Sequence, residues 1–439
     1  MKWRSCRPSR AAADPSSLFD VPESGLPNTG TTLPSPRQRV AMLSLHTSPL
    51  ALPGQGDAGG MNVYVRELVS ALAQAGLECT TYTRASRPGL PEVVQVEPGH
   101  QVVHIDAGAF DLPKEALPSV VPQFAEGVLA HMRANGVPDV LHGNYWLSGQ
   151  AGHLLKHELN RPLVMTFHTF ARVKAQGGDP EPLWRELAET EIIGCTDAIC
   201  VSCTEEERQF RDLYGNPKGR VEIVAPGVEH AFFTPGDRRG ARQALCLDDR
   251  PVLLFVGRIQ PLKGLDIAVQ ALAELRRPDA LLVAVGGASG QDGDDEVQRI
   301  AALIDELGVA EQVIFVPPQQ HHILSTYYRA ADVVLVPSRS ESFGLVALEA
   351  GACGVPVVAN AVGGLLTLVD HADTGFLVPD RAPDLFASHV RWLLDHPDEA
   401  RHMGERAALR ARRYTWGLAA ARLRRMYADL RANSLVSCG

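Results

Sequence analysis

The clearest structural signal in the sequence is residues 331–352, Ala-Asp-Val-Val-Leu-Val-Pro-Ser-Arg-Ser-Glu-Ser-Phe-Gly-Leu-Val-Ala-Leu-Glu-Ala-Gly-Ala. The apolar run 331–337 predicts a buried strand, and residues 345–352 predict a helix. A strand, a short loop and a helix N-terminus present unpaired N–H groups, which suit an anionic ligand. Glu341 and Glu349 flank this turn, and Glu349 lies too far inside the helix to cap it. It could accept hydrogen bonds from vicinal sugar hydroxyls; the alternative is a solvent-facing glutamate pair.

Composition limits the classes of protein that the chain can represent. Its 439 residues are enough for about two or three domains. A net charge of −9 disfavours nucleic-acid binding, and the sequence lacks a long apolar run of membrane-spanning length. Residues 1–37 are rich in Ser, Pro, Arg and Gly without an apolar segment, which predicts a disordered extension, or a start codon assigned too early, and not a signal peptide.

The eight cysteines lie in apolar segments, as expected of a protein in a reducing cytoplasm. Cys200-x-x-Cys203, with Cys195 nearby, resembles half of a zinc site. These residues belong to a predicted strand, however, where positions i and i+3 point to opposite faces. No second Cys/His pair follows at zinc spacing. We therefore predict buried free thiols and no metal site.

Strand-length apolar runs alternate with helical patterns, which is typical of an α/β protein with mostly parallel sheets. The predicted strands are residues 40–45, 78–83, 101–105, 140–141, 163–167, 198–201, 221–223, 252–256, 281–285, 313–316, 333–336, 357–359 and 375–378. A Pro- and Gly-rich linker, residues 226–237, separates the two groups of strands. The pattern predicts two Rossmann-like domains facing across a cleft, at residues 38–227 and 228–415, followed by a helix and tail at 416–439.

The loop after the first strand contains Gly54-x-Gly56-x-x-Gly59, a literal match to the dinucleotide-binding fingerprint. In the true fingerprint the first glycine follows the strand directly, whereas about eight residues intervene here. The second strand also ends without an acidic residue to hold a ribose. An NAD-dependent oxidoreductase is therefore disfavoured, but a glycine-rich loop at a helix N-terminus can still approach a phosphate closely.

Two cations follow the first strand of the second domain, in Gly257-Arg258-x-x-Pro-x-Lys263-Gly264. Arg can bind two phosphate oxygens at once and Lys adds a point charge, so the pair suits a diphosphate and the charge that develops as it departs. His168 ends another apolar strand on the cleft side, although a lone histidine is more often structural. Together these motifs indicate a nucleotide-sugar enzyme with its site in the cleft.

Residues 257–264 and the Glu341-x7-Glu349 segment resemble the donor-site motifs of the retaining GT-B glycosyltransferases of family 4. The loop from His46 to Asn62 is similar to that of family members that transfer N-acetylglucosamine from UDP-GlcNAc to inositol phosphate in mycothiol synthesis. The similarity covers roughly residues 38–430. It implies the GT-B fold, with the C-terminal helix crossing back to the first domain. It is also compatible with a homodimer.

The resemblance implies a role for each matching residue. Arg258 and Lys263 would hold the UDP diphosphate, with Gly60 packed close to it; Glu349 would bind the ribose and Glu341 the donor sugar. His168 would lie at the reaction centre, so that the catalytic residues would be His168, Arg258, Lys263 and Glu341. The acceptor site would consist of His46, Asp57, Ala58, Gly59, Gly60, Met61, Asn62, Lys114, Tyr145, Thr169 and Arg185. Within it, Lys114, Tyr145, Thr169 and Arg185 would surround the acceptor phosphate.

Three departures from the family pattern leave alternatives open. Leu52 precedes Pro53 where glutamine is usual, residues 174–179 are shorter and altered, and Leu366 replaces a proline. A sucrose-phosphate-synthase-like enzyme with a sugar-phosphate acceptor, or an inactive nucleotide-sugar-binding module, are therefore the alternatives. Two cations and helix N-termini could neutralise the leaving diphosphate, so we expect no required cofactor, although Mg²⁺ could bind.

Overall fold

Alternating strands and helices form two predominantly parallel sheets covered by helices. The computed structural model describes residues 37–54, 57–289 and 293–438. Gly56 and the predicted extension, apart from Arg37, lie outside these residues. Within them, no helix is both long and apolar enough to cross a membrane.

The first sheet has the strand order β3-β4-β2-β1-β5-β6-β7-β8, in which only β3 is antiparallel to its neighbour. Its strands are β1 (Arg39–Leu43), β2 (Glu78–Arg84), β3 (Val93–Glu97), β4 (His100–Ile105), β5 (Val140–Asn144), β6 (Leu163–Thr166), β7 (Ala198–Val201) and β8 (Arg220–Ile223). Its helices are α1 (Gly60–Gln74), α2 (Val121–Asn135), α3 (Trp146–Leu159), α4 (Ala171–Gln176), α5 (Leu183–Cys195) and α6 (Thr204–Tyr214). A 3-10 helix spans Lys114–Val120.

The second sheet is parallel throughout, in the order β11-β10-β9-β12-β13-β14. Its strands are β9 (Val252–Val256), β10 (Leu281–Val285), β11 (Val313–Val316), β12 (Val333–Val336), β13 (Val357–Asn360) and β14 (Gly375–Val378). The helices of the second domain are α7 (Arg238–Ala244), α8 (Leu265–Leu275), α9 (Gly293–Glu306), α10 (His321–Ala330), α11 (Leu345–Ala352), α12 (Leu365–Leu368), α13 (Pro383–Asp395) and α14 (Pro397–Ala411). They are followed by α15 (Trp416–Ala432). Short 3-10 helices span Ala310–Gln312 and Pro379–Arg381.

Each predicted strand is present, with bounds that agree to within three residues. The prediction missed β3, a partly exposed edge strand whose side chains have no continuous apolar pattern. The central strands were predictable because parallel strands covered on both faces are almost entirely apolar. β9 and β12 illustrate this, since their side chains are nearly all buried.

The last helix, α15, crosses back to the first domain as predicted. It packs along α1, and the hydroxyl of Tyr427 lies 2.6 Å from His142 Nδ1 on β5. Arg424 donates to the carbonyl of Ala75, and Arg422 donates to the carbonyl of Ile223. These arginines are thus exposed, as expected of a solvated face, but they also fasten the helix to the first domain.

The cysteines are partly as predicted. Cys200 and Cys203 are buried free thiols. Cys195, however, is bonded to Cys438, with a Cα–Cα distance of 4.7 Å. The prediction of a free thiol was wrong for Cys195 because its partner lies 243 residues away, in a tail that α15 returns to the first domain.

Candidate active site

A cavity of about 300 Å³ lies between the two sheets, at the carboxyl ends of their strands. The first domain lines it with residues that include Gly59, Gly60, Met61, His168 and Thr169. The second domain contributes all four predicted donor-site side chains, Arg258, Lys263, Glu341 and Glu349. Ligands bind at this edge in open α/β sheets, because the loops after the strands can vary without disturbing the core.

The loop between β1 and α1 is held in place by Asn62. This buried side chain accepts from the Gly59 N–H at 2.9 Å and donates to Thr47 Oγ1 at 2.7 Å and to the Ser48 carbonyl at 2.6 Å. Asn62 therefore shapes the loop from within. The resemblance implies acceptor contact for Asn62, but its hydrogen bonds point to a supporting role.

Gly59 lets the second domain approach the N-terminus of α1. A Cβ atom at this position would lie 3.3 Å from Arg258 Nε, closer than most contacts of that kind. The Arg258 guanidinium donates to Ser289 Oγ at 3.1 Å and lies 3.9 Å from Asp57 Oδ1. Burial lowers the pKa of Arg258 despite the opposing effects of Asp57 and Glu341. Arg258 also lines the cavity, so its positive charge lies at the cavity wall beside the N-terminus of α1.

Lys263 and Glu341 form an ion pair at the cavity wall. Lys263 Nζ lies 2.7 Å from Glu341 Oε2, and both side chains are partly exposed. Gly344 precedes α11 with a φ of 104°, a left-handed conformation that favours glycine. The turn directs the α11 N-terminus to the cavity, where it adds to the attraction for an anion.

Glu349 lies on α11 and is 95% buried, with a relative exposure of 5%. One oxygen is 2.7 Å from His321 Nε2, and the other accepts from the Tyr328 hydroxyl at 2.8 Å. Burial disfavours the charged imidazole, but Glu349 and then Glu67 outweigh it and raise the pKa of His321. The sequence reasoning assigned nothing to His321, although it lines the cavity and supports Glu349.

His168 follows β6 with a φ of 62°, an uncommon value for a non-glycine residue. Its Nε2 lies 2.9 Å from Asn144 Oδ1, and its carbonyl accepts from the Ser342 hydroxyl of the second domain. Burial, and next the proximity of His142, lower the pKa of His168 to about 3. His168 is therefore a neutral imidazole at neutral pH, held where the domains meet.

Lys114, Arg185 and His46 converge on the ring of Tyr145, and we call these four residues the Tyr145 cluster. Lys114 Nζ lies 5.6 Å from the ring centroid, Arg185 Cζ lies 5.1 Å from it, and the His46 ring centroid is 4.4 Å away. Burial lowers the pKa of His46, followed by the charges of Lys114 and others. The cluster thus places two cationic side chains and an imidazole that burial keeps neutral around one aromatic ring.

Arg185 is the most restrained member of this cluster. It is buried and pairs with Glu181 at 2.6 Å and with Glu189 at 3.0 Å. It also donates to Thr169 Oγ1 at 3.1 Å, and Thr169 lines the main cavity. Lys114, in contrast, has no carboxylate partner within the described residues. The Tyr145 cluster therefore adjoins the cavity and, as far as residues 37–54, 57–289 and 293–438 show, contains one cation without a carboxylate partner.

The structure also places Ala58, a predicted acceptor residue, and two of the three departures from the family pattern. Ala58 is buried, and its carbonyl accepts from Gly54 N at 2.8 Å. Leu366, which replaces the proline of the family pattern, uses its backbone N–H to bond Gly363 O at 3.2 Å. The altered segment 174–179 brings Lys174 to the cavity wall, where it pairs with Asp179 and Glu181. The sequence motifs gave no signal for Lys174.

Two family models match the chain. The model for a "Glycosyl transferase 4-like domain" matches residues 59–227, and that for "Glycosyl transferases group 1" matches residues 237–410. D-inositol 3-phosphate glycosyltransferase 2 of Catenulispora acidiphila is 45% identical over 413 residues, covering 90% of this chain and 96% of that protein.

Solved structures show the same fold. A sucrose-phosphate synthase from Thermosynechococcus elongatus has a TM-score of 0.85 at 34% identity, covering 90% of this chain and 100% of that one. HepE of Anabaena, in complex with UDP-glucose, has a TM-score of 0.73 and covers 90% of this chain and 100% of that one. At 17% identity, the likeness to HepE concerns the fold alone. The chain therefore belongs to the retaining GT-B glycosyltransferases of family 4, in the group that includes the D-inositol 3-phosphate glycosyltransferases.

Proposed function

We propose that this glycosyltransferase moves N-acetylglucosamine from UDP-GlcNAc to inositol phosphate, with retention at the anomeric carbon. The observation that carries the proposal is the Tyr145 cluster beside the cavity, where Lys114 and Arg185 lie over one ring. An acceptor with a phosphate group would give Lys114 an anionic partner, while Arg185, already paired with Glu181 and Glu189, would add a further donor. The D-inositol 3-phosphate glycosyltransferases that are 45% identical to the chain act, by their name, on such an acceptor.

The donor would occupy the wall formed by the second domain. The ribose hydroxyls would donate to Glu349, because a carboxylate has about four acceptor positions and only two of them are used by His321 and Tyr328. The diphosphate would lie between Arg258, Lys263 and the helix N-terminus at Gly60. On binding, it would compete with Glu341 for Lys263, and Glu341 would then be available to the sugar hydroxyls.

The acceptor would occupy the side of the first domain. Its phosphate would bind Lys114, Arg185 and Thr169, and its ring hydroxyls would face the loop between β1 and α1. The Nδ1 atom of His46 is buried without a hydrogen-bond partner within the described residues. A hydroxyl of the acceptor would give this nitrogen the partner that buried polar atoms require.

In the proposed reaction, the bond between the anomeric carbon and the diphosphate oxygen breaks, and its electron pair remains on that oxygen. Arg258, Lys263 and the helix N-termini stabilise the developing charge. The acceptor hydroxyl forms a new bond to the anomeric carbon on the same face and gives its proton to the departing oxygen. His168, neutral and fixed by Asn144, borders the reacting carbon. Because protein cations neutralise the leaving group, the reaction needs no metal ion.

A sugar-phosphate acceptor is the second candidate. It is favoured by the 34% identity to a sucrose-phosphate synthase over 90% of the chain. The Tyr145 cluster would suit this acceptor equally, because both candidates present a phosphate. UDP-glucose is likewise an alternative donor, because it shares the ribose and diphosphate of UDP-GlcNAc.

The deciding experiment pairs each donor with each acceptor. The purified protein would be incubated with UDP-GlcNAc, UDP-glucose or GDP-mannose, and with inositol phosphate, glucose phosphate or fructose phosphate. Nucleotide release and product mass would be followed. Turnover should be highest with UDP-GlcNAc and inositol phosphate. Turnover with a hexose phosphate but not with inositol phosphate would refute the proposal and support the second candidate. A protein that binds UDP but transfers to none of them would indicate a binding module.

A further inference from the structure

Four potential metal ligands converge away from the cleft, where the C-terminal tail meets α3 and α5. They are His153 and His157 on α3, Cys195 at the end of α5, and Cys438 in the tail, which we call the His-Cys cluster. Their ligand atoms all lie within 4.8 Å of one another. None of the four lines the donor cavity.

The two histidines are one helical turn apart, so their rings lie on the same face of α3. Their Nε2 atoms face each other at 3.0 Å, and His157 Nε2 lies 4.0 Å from Cys195 Sγ. In a tetrahedral zinc site, bond lengths of about 2.0–2.3 Å place neighbouring ligand atoms about 3.3–3.8 Å apart. The two observed separations, 3.0 and 4.0 Å, lie just below and just above this range. Reduction of the disulfide, which lets the two sulfur atoms move apart, together with small shifts of the two imidazoles would complete the geometry.

The surroundings resemble those of a built metal site. His153 Nδ1, on the far side of its ring, lies 3.6 Å from Glu191 Oε1. A carboxylate next to the outer nitrogen of a histidine fixes the ring orientation and raises the basicity of the inner nitrogen. His153 thus has its inner nitrogen directed at the cluster and its outer nitrogen directed at a carboxylate.

A buried ion pair holds the tail so that Cys438 lies in the His-Cys cluster. Lys156 Nζ lies 2.8 Å from Asp197 Oδ2, and both side chains are less than 5% exposed. Asp197 accepts from the Val436 N–H at 2.6 Å, while Lys156 donates to the carbonyls of Val436 and Cys195 at 3.1 and 2.6 Å. The tail is therefore positioned by contacts that do not depend on the sulfur atom of Cys438.

We propose that the His-Cys cluster binds one Zn²⁺ ion when Cys195 and Cys438 are reduced. Two neutral imidazoles and two thiolates in a tetrahedral arrangement are the ligand set that selects zinc. Each thiol loses its proton as it binds, so that uptake of one ion releases two protons. The disulfide seen here is the competing state. A dithiol reductant would reduce the Cys195–Cys438 disulfide to two thiols and would itself be oxidised to a disulfide.

Such an ion would tie the segment that follows α15 to the first domain. Cys438 would be joined to α3 and α5 through the metal, so the tail behind α15 could not detach without breaking the bond between Cys438 and the ion. This role is structural and independent of glycosyl transfer. Substitution of a zinc ligand should therefore change the metal content and the thermal stability of the protein but leave its affinity for UDP unchanged.

The test measures metal uptake by the full-length protein. Protein reduced with a phosphine and freed of metal would be titrated with Zn²⁺ against a chromophoric chelator, and Co²⁺ would report tetrahedral thiolate ligation by its visible spectrum. We expect the protein to bind one equivalent of Zn²⁺ per chain and to have a higher Tm with zinc than without it. Cys438→Ser and His157→Gln should each weaken binding at least tenfold. Cys246→Ser, at an exposed cysteine of the second domain, should bind zinc as the unaltered protein does.

Three results would overturn the proposal. The first is the absence of stoichiometric zinc uptake by the reduced protein. The second is uptake that persists unchanged when His153 and His157 are both replaced by glutamine. The third is a Cys195–Cys438 disulfide that survives excess reductant in the folded protein, as shown by peptide mass analysis. Unchanged UDP affinity in each variant would establish that the fold is intact.

Discussion

Lys263 Nζ lies 2.7 Å from Glu341 Oε2, so the cation assigned to the diphosphate and the carboxylate assigned to the sugar neutralise each other. In the proposed reaction a donor would break this pair, because its diphosphate carries more negative charge than the single carboxylate that it replaces. We expect Lys263→Ala to lower kcat by roughly 10²–10³-fold, the usual effect of removing one group that stabilises a developing anion. Steady-state kinetics at saturating donor would measure it.

Arg276→Ala is the control for loss of one positive charge, because this side chain is 83% exposed on the second domain. Its kcat should equal that of the unaltered enzyme. A Lys263→Ala enzyme whose kcat remains within a few-fold of that value would contradict the assigned role.

Substitutions of Glu341 and Glu349 should have different effects on the affinity for UDP. Glu349→Ala removes a charged acceptor for ribose hydroxyls, worth about 1.5–3 kcal/mol per hydrogen bond, and should weaken UDP about 10–100-fold. Glu341→Ala releases Lys263 from its ion pair, so UDP binding should be retained or strengthened while transfer falls. Calorimetric titration with UDP would compare the two variants. Equal losses of UDP affinity would show that the division of the donor site is incorrect.

Lys114→Ala should affect the acceptor alone. The side chain lies over Tyr145, in the first domain, and the donor wall belongs to the second. We expect the KM for inositol phosphate to rise about tenfold, as for loss of one hydrogen bond to a charged group, with UDP affinity unchanged. Lys114→Arg keeps the charge and should restore most of the acceptor affinity. Loss of UDP binding in Lys114→Ala would place the lysine in the donor site instead.

His321 should make stability depend on pH. Because Glu349 raises the pKa of His321 in the folded protein, the charged imidazole contributes stability that is fully present below pH 6.5, its ordinary pKa. That contribution is lost as the pH rises through the raised value. The Tm difference between the unaltered protein and His321→Asn should therefore shrink on going from pH 6 upward. A difference that grows with pH would have the wrong sign.

Transfer should not require Mg²⁺, because Arg258 and Lys263 already face the cavity. Protein and substrates passed over a metal-binding resin should retain most of their activity, and added Mg²⁺ should change kcat by less than a few-fold. Resin treatment is preferable to a strong chelator, which could also remove zinc from the His-Cys cluster. Activity that is restored only by Mg²⁺ would contradict the prediction.

The donor side of the site was predictable because its parts are local in sequence. Arg258 and Lys263 belong to one motif, Glu341 and Glu349 to another, and each motif follows a strongly apolar strand. The structure brings all four to one cavity. Their roles with substrate stay predictions, as do those of the acceptor residues.

The acceptor side could not be assembled from local patterns. Lys114, Tyr145 and Arg185 come from a 3-10 helix and from the starts of two α-helices, and none has a distinctive neighbourhood. Only the resemblance to a family suggested them. His321 was missed because its partner Glu349 lies 28 residues away. Cys438 was missed for the same reason, since no spacing rule connects a chain terminus with the end of α5.

The crossing of α15 makes the first domain discontinuous in sequence. The buried side chains of Leu423, Met426 and Tyr427 complete a core shared with β1 and α1. Residues 228–415, which hold the entire second sheet, are therefore inserted between two parts of one folding unit. During synthesis the second domain can fold while the first still lacks its final helix. The first domain is therefore begun before the second domain and is completed only after it.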